Sequence, residues 1–268
     1  MPRRIRFNGS RDPPRRVAIL GLEGIRKSFG GNRVLDGVDM EVGRGSICQL
    51  IGSNGSGKTT LINCVSGLYV PDSGRVVFDG TDVTRLGLRG TFRAGLVRTW
   101  QIPRPFAVLT ALENMLVAGG PNRGESFLRA PLRGWVPDEE ALVGRALSLA
   151  SDVGLEGKGG ERGSELSGGQ KKLLELGRAM MSGARMVLMD EPIAGVNPTL
   201  AHEIFERIER IRREHGITFL IVEHRLDISF QYVDRVFAMD GGRIIAEGTP
   251  DEVSSHPGVI ESYLGGAP

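Results

Sequence analysis

The sequence predicts an α/β fold whose core is a mainly parallel sheet with both faces covered, and with a helical subdomain inserted in mid-chain. Three features predict it. The nearly continuous apolar run Gly45–Ile51 feeds a glycine-rich turn and then a helix over Lys58–Leu68. Apolar runs at Met186–Met189, Ile217–Val222 and Val236–Met239 follow, spaced by helical stretches, as in a sheet buried on both sides. Between these halves, from about Leu96 to Val153, apolar residues recur at helical spacing: Leu112, Met115 and Leu116, then Leu142, Ala146, Leu149 and Val153.

Along the chain, residues 1–16 carry Arg3, Arg4, Arg6, Arg11, Arg15 and Arg16 against a single Asp12, with Pro13, Pro14 and few apolar side chains. This reads as a basic disordered arm, with contact to anionic lipid or nucleic acid as the alternative. From Val17 to residue 268 the texture is that of one globular domain. Ala18–Ile25 reads as a strand, and a turn at Pro71, Asp72, Ser73 and Gly74 precedes a short strand over Arg75–Phe78. The helical subdomain is expected over about 96–182, with Pro121–Pro137, rich in Gly, Pro and Arg, as a surface loop within it and a helix over Lys171–Met181 near its end. Leu200, Ile204, Phe205, Ile208 and Ile211 line one face of the helix between two of the late strands.

Composition narrows the class. Hydrophobic residues make up 40% and charged residues 25% of 268 residues, ordinary values for a soluble globular protein, and the net charge of +2 excludes little. No run approaches the ~18–20 apolar residues of a membrane helix. The N-terminal arginines lack a following apolar segment, so no secretory signal is expected, and a cytoplasmic location follows unless a partner holds the chain at a membrane. Cys48 and Cys64 have no Cys-x-x-Cys or histidine spacing around them and read as reduced packing residues.

Three constellations carry chemistry. Gly52, Ser53, Asn54, Gly55, Ser56, Gly57, Lys58 and Thr59 match G-x-x-x-x-G-K-[ST] between a buried strand and a helix that continues through Thr60. The glycines let backbone amides turn around phosphates, the helix start adds its positive end, Lys58 brings a mobile cation and Thr59 a hydroxyl for Mg²⁺. The strand Met186–Met189 runs into Asp190 and Glu191. Asp190 at a strand's carboxyl end can reach that Mg²⁺, and Glu191 can orient and polarise a water, so the pair points to phosphoryl transfer to water. Third, Leu166, Ser167, Gly168, Gly169 and Gln170 open a helix, a second anion-binding device without an evident anion in its own domain. A plain N-cap accounts for Ser167 but not for the two glycines or Gln170. Two such helix starts make sense if one caps the nucleotide of a neighbouring subunit.

With these motifs in order, the chain resembles ABC transporter ATP-binding subunits over about Ile19–Gly265. The resemblance implies a P-loop NTPase of the ABC type, with an antiparallel β subdomain beside the core sheet and the helical subdomain, and it implies ATP and Mg²⁺ as ligands. It also implies Phe29, with Val34 beside it, as the residue that stacks on adenine, and Gln101 as the sensor of γ-phosphate and metal. Leu166–Gln170 then matches the signature motif, Asp190 and Glu191 the acidic strand end, and His224 the switch histidine. Two departures stand out. Asn197 takes a position where much of the family has aspartate, and Arg225 follows His224 where aspartate is common. Glu223 competes with Glu191 for the water-orienting role, and Glu191 is retained because His224 beside Glu223 fits the switch.

A narrower resemblance rests on Arg98 to Phe106, Leu109 to Met115, Glu191 to Pro198, and an ending from Glu247 to Val253 and Val259 to Leu264. These are similar to the ATP-binding subunits of branched-chain amino-acid importers, with urea or amide importers and a lipopolysaccharide-export subunit as neighbours. The Pro121–Pro137 loop resembles an extension of the importer group, and a C-terminal extension is expected over about 248–268. The implied partners are a second copy or a paralogue, membrane permeases docking on about 98–118, and indirectly a solute-binding protein. The implied location is the inner face of the cell membrane. A soluble ABC ATPase acting on ribosomes or DNA is the alternative from a different class; such proteins usually pair two motor domains in one chain or carry long coiled-coil insertions, absent here, and no nucleic acid is expected.

Overall fold

Two long strands open the domain. β1 (Ala18–Phe29) and β2 (Asn32–Gly43) pair antiparallel around a tight turn at Gly30 and Gly31, whose φ values of 54° and 86° need glycine. β2 was not among the strands expected from sequence, because Asp36, Gly37 and Asp39 interrupt its alternation. The computed structural model describes residues 17–120 and 136–264. The basic arm expected over 1–16, the loop over 121–135 and the tail over 265–268 lie outside the described residues.

The fully buried β3 (Ile47–Ile51) enters the glycine-rich turn and α1 (Lys58–Val65). β4 (Ser73–Phe78) pairs with β1, and β5 (Thr81–Asp82) completes a four-stranded antiparallel sheet in the order β2-β1-β4-β5. α2 (Gly87–Arg93) leads to β6 (Leu96–Arg98). The helical subdomain was expected from about residue 96, but β6 is hydrogen-bonded into the core sheet, so the helical part starts after it. That part holds α3 (Ala111–Ala118), α4 (Val136–Asp152) and α5 (Gly168–Met181). Val136 and Pro137, the end of the expected loop, already belong to α4, and α5 begins three residues before Lys171. The chain then runs through β7 (Met186–Asp190), α6 (Pro198–His215), β8 (Thr218–Val222), α7 (Leu226–Ser229), β9 (Arg235–Asp240) and β10 (Arg243–Gly248) to α8 (Pro250–Ser254) and α9 (Pro257–Leu264).

The core sheet has the order β10-β9-β3-β8-β7-β6, parallel throughout except for β10. Alternation along its strands builds two cores. Leu188, Leu220, Val222 and Phe237 face Leu61, Ile62 and the antiparallel sheet, whereas Val187, Phe219, Ile221 and Val236 face the cluster of α5 and α6 that includes Leu174, Ile204 and Phe205. Each such side chain, fully buried, contributes about 1.5–3 kcal/mol, which fixes the register of every strand end. Arg243 on β10 pairs with Asp36 on β2, and Arg185 and Arg44 both pair with Asp79, so ion pairs tie the two sheets together. Among the described residues, no helix is long and apolar enough to cross a membrane.

Candidate functional site

The parallel order sets four carboxyl strand ends side by side: Gly52 after β3, Glu223 and His224 after β8, Asp190 and Glu191 at the end of β7, and Thr99 to Gln101 after β6. Open α/β sheets bind ligands at this edge. At its centre the loop Gly52–Thr60 is built around two glycines that nothing larger can replace. Gly52 has φ 153°, and a Cβ there would lie 2.2 Å from the Met239 carbonyl oxygen; at Gly57, φ 106°, it would lie 2.9 Å from that of Val34. Gly57 is also the N-cap of α1, with no side chain capping the helix. The first amides of α1 are thereby offered outward.

Lys58 is buried and donates from Nζ to the carbonyls of Gly52 and Ser53 at 2.7 and 2.8 Å, leaving one of its three hydrogens for a phosphate oxygen. Burial lowers its ammonium pKa, while Glu191 and Asp190 act in the opposite sense. The Ser56 hydroxyl oxygen is buried with no hydrogen-bond partner. A cavity of about 220 Å³ lies over the loop, lined by Val34, Asn54, Thr59, Thr60, Asp190 and His224 among others. An uncapped helix start and a partly used ammonium around one cavity fit a polyphosphate. Oxygen donors on Thr59 and Asp190 beside it fit Mg²⁺.

The acids have distinct surroundings. Asp190 accepts from Arg98 Nη2 at 3.1 Å through Oδ2, in a pair whose side chains are only 6% (Arg98) and 15% (Asp190) exposed. Sequence reasoning missed Arg98 as part of the site, since 92 residues separate the pair. Glu191 sits at φ 50°, an unusual conformation for a non-glycine residue, and its amide donates to the Val222 carbonyl at 2.8 Å. Gln101 donates to its Oε2 at 2.6 Å and His224 Nε2 lies 3.4 Å from its Oε1, so three residues from three strand ends meet. Lys172 of α5 donates to the carbonyls of Glu191 and Ala194 at 3.2 and 2.8 Å and pins the backbone behind the acid. Glu223, the competitor for the water-orienting role, is 2% exposed and accepts from the amides of Ile193, His224 and Arg225. Its carboxylate organises these two loops and is not part of the lining of the phosphate-loop cavity.

The second glycine-rich helix start is not brought to this cavity, and one expectation about it needs correcting. Ser167 Oγ accepts from the Gln170 amide and Gln170 Oε1 accepts from the Ser167 amide at 2.8 Å, a reciprocal capping box. A Cβ on Gly169 would lie 2.3 Å from Leu200 Cδ2. Local capping accounts for Gln170, and packing on α6 accounts for Gly169. Of the two glycines only Gly168 is exposed, with open space around it. Phe29 does not line the cavity either; it is 42% exposed at the end of β1, edge-on to Tyr69 at 5.3 Å. Asn197 caps α6, accepting from the Leu200 amide at 2.9 Å, a bond that asparagine makes as well as aspartate.

A larger cavity of about 760 Å³ lies on the other side of Gln101, lined by Phe92, Trp100, Ile102, Arg104, Phe106 and Val117 among others. It is a groove of half-exposed apolar side chains and does not adjoin the phosphate loop. Phe106 is 48% exposed under the Arg178 guanidinium, not buried in the helical core. Buried Asn114 accepts from the Phe106 amide and donates to the carbonyls of Phe106, Leu109 and Thr110, which locks the segment to α3. Glu175 of α5 accepts from the Trp100 amide at 2.9 Å, and burial raises its carboxyl pKa.

The model of the family described as ABC transporter matches residues 35–194, and that described as branched-chain amino acid ATP-binding cassette transporter matches 243–268. The chain is 45% identical over 254 residues to the probable branched-chain amino acid transport ATP-binding protein LivG of Methanocaldococcus jannaschii, covering 93% of this chain and 98% of that protein. It is 34% identical to the high-affinity branched-chain amino acid transport ATP-binding protein BraF of Pseudomonas aeruginosa, again over 93% and 98%. Among solved structures, the ADP conformation of an ATP-binding cassette of an ABC transporter superposes with a TM-score of 0.81 at 44% identity, over 93% of this chain and 99% of that one.

Proposed function

The chain belongs to the ABC transporter family as an ATP-hydrolysing subunit, and from that premise we propose that it drives the import of branched-chain amino acids or related small polar solutes. The observation that carries the hydrolytic reading is the meeting of Gln101, Glu191 and His224 over the Gly52–Thr60 loop. In this reading Gly52–Thr60 holds the triphosphate and Lys58 neutralises it. Phe29 and Val34 take the adenine side. Thr59, Asp190 and Gln101 would hold Mg²⁺, which supplies positive charge to the phosphates when bound. Glu191 orients and polarises the attacking water, and His224 steadies Glu191 and the developing charge; positioning and electrostatics are the main contributions.

The second helix start completes the site from outside. Ser167, Gly168 and Gly169 of a second copy, or of a paralogue, close over the γ-phosphate with the hydroxyl and the first amides of α5. ATP then joins two subunits and its hydrolysis releases them. The 760 Å³ groove between Trp100 and Val117 receives a short helix from a membrane permease. The rigid link from Gln101 through Phe106 to Asn114 supports motion of the groove with the nucleotide site. The subunit works at the cytoplasmic face of the membrane as a peripheral protein, and a secreted solute-binding protein delivers the solute to the permease.

Uptake of radiolabelled leucine, isoleucine and valine by cells lacking the gene tests the solute. The expected result is loss of uptake, restored by the intact chain but not by Glu191→Gln. Normal uptake of these amino acids together with loss of urea or amide uptake would overturn the solute class. A double change, Arg104→Glu with Phe106→Ala, should abolish co-purification with the permeases. Retained association would move the docking groove elsewhere.

A further inference from the structure

Arg98 lines the groove and bonds to Asp190 in the wall of the phosphate-loop cavity, and neither the phosphate loop nor the catalytic trio requires it. It lines the 760 Å³ groove, yet its side chain is 6% exposed. One edge of its guanidinium is committed inward: Nη2 donates to Asp190 Oδ2 at 3.1 Å, and Nη1 donates to the side-chain oxygen of Asn63 on α1. Its face lies 4.7 Å from the centre of the Trp100 indole. Nε is buried with no partner, so no further bond ties the group to the protein. Trp100 itself is 48% exposed in the groove, with its amide fixed by Glu175.

The guanidinium is a rigid plane, so its edge cannot stay still when its face is tilted. Asp190 is held by one hydrogen bond and not by a two-pronged clamp, so it follows the tilt of Nη2. Partners of metal-binding carboxylates set the orientation of the ligand oxygens. We propose that Arg98 is a positioning residue that couples the Trp100 face of the groove to the orientation of the Asp190 carboxylate. It does so in both directions: docking against the indole adjusts the metal-side carboxylate, and metal binding at Asp190 alters the environment of the indole. The inference rests on the reading that Asp190 helps hold Mg²⁺.

Trp100 and Trp135 are the two tryptophans of the chain, so a Trp135→Phe background makes Trp100 the only indole reporter. Titrating Mg²⁺ into the full chain with ATP bound, in a Glu191→Gln background, should shift Trp100 emission. Arg98→Met should abolish that shift and raise the half-saturating Mn²⁺ concentration, read by electron paramagnetic resonance, by about 10-fold or more, the scale of losing a partner of a metal ligand. Arg98→Lys keeps the charge without the plane; it should hold Mn²⁺ within roughly 3-fold while losing the emission shift, and it guards against a folding defect in the methionine variant. Emission shifts and Mn²⁺ binding that both survive in Arg98→Met overturn the coupling, provided that Asp190→Asn binds Mn²⁺ more weakly. If Asp190→Asn binds Mn²⁺ as the intact chain does, the metal reading fails and the coupling falls with it.

Discussion

The glycine-rich helix starts at α1 and at α5 are built in opposite ways. At α1 the N-cap is Gly57, no side chain closes the helix end, Ser56 Oγ is orphaned and Lys58 keeps a hydrogen in reserve. At α5 Ser167 and Gln170 close the end on each other, and Gly169 is there to let Leu200 approach. The first leaves donors open, as the proposed polyphosphate site requires. The second is complete as a helix and offers only an exposed glycine, a hydroxyl and two amides. Glycine enrichment at a helix start therefore does not identify an anion site; unsatisfied donors around a cavity do.

The largest expected effect tests the first start. Glu191→Gln should bind ATP yet hydrolyse it at least ~100-fold more slowly, the scale of a lost general base. It should also accumulate as an ATP-bound dimer, since the second helix start remains engaged. Turnover near that of the intact chain, measured with the partner subunits present, would remove Glu191 from the role. It would not hand that role to Glu223, whose oxygens already serve three amides.

Next in size is the adenine side. Phe29→Ala should weaken ATP binding by roughly 1–3 kcal/mol, the scale of base–aromatic stacking, while Phe29→Trp largely preserves it. Titration calorimetry decides this directly. Unchanged affinity in the alanine variant would leave Phe29 as the edge-on neighbour of Tyr69 and nothing more. Smaller for the isolated subunit is Gly168→Ala. A methyl group there meets open space within one chain, so monomer ATP affinity should hold within ~2-fold, while the ATP-dependent dimer of the Glu191→Gln chain is lost by light scattering. A dimer of normal stability would break the assignment of this start to the neighbouring nucleotide.

What the sequence made legible follows the range of the interactions. Continuous apolar runs over Met186–Met189 and Val236–Met239 revealed the core strands, because both faces of that sheet are buried and every residue reports on it. The loop Gly52–Thr60 was legible because its constraints are local turns and a helix start. β2 was not, since its polar interruptions are paid for by distant partners such as Arg243 against Asp36. The Arg98–Asp190 pair and the burial of Glu223 also arise from strands adjacent in space and remote in sequence. The capping role of Gln170 was missed for a different reason. The pattern Ser-x-x-Gln is itself a helix-start signature, and the two glycines inside it drew attention to an anion instead.

That capping box gives the smallest and sharpest test of the comparison. Gln170→Ala removes one arm of the capping box and leaves the Ser167 amide without its 2.8 Å partner. The Ser167 oxygen still accepts from the residue 170 amide, which the backbone supplies whatever the side chain. The expected cost is about 0.5–1 kcal/mol of stability, the lower part of the range for helix caps, seen as a lowered denaturation midpoint of the isolated subunit. Gln170→Glu restores an acceptor at the same reach and adds a negative charge at a helix start, so it should recover that stability or exceed it. In the proposed closed pair the same charge would face the neighbour's γ-phosphate, so the glutamate variant should be stable as a monomer and impaired as an ATP-bound dimer. If Gln170 instead served only the neighbour's nucleotide, both variants would keep the intact chain's denaturation midpoint, and the capping box would carry none of the stability assigned to it.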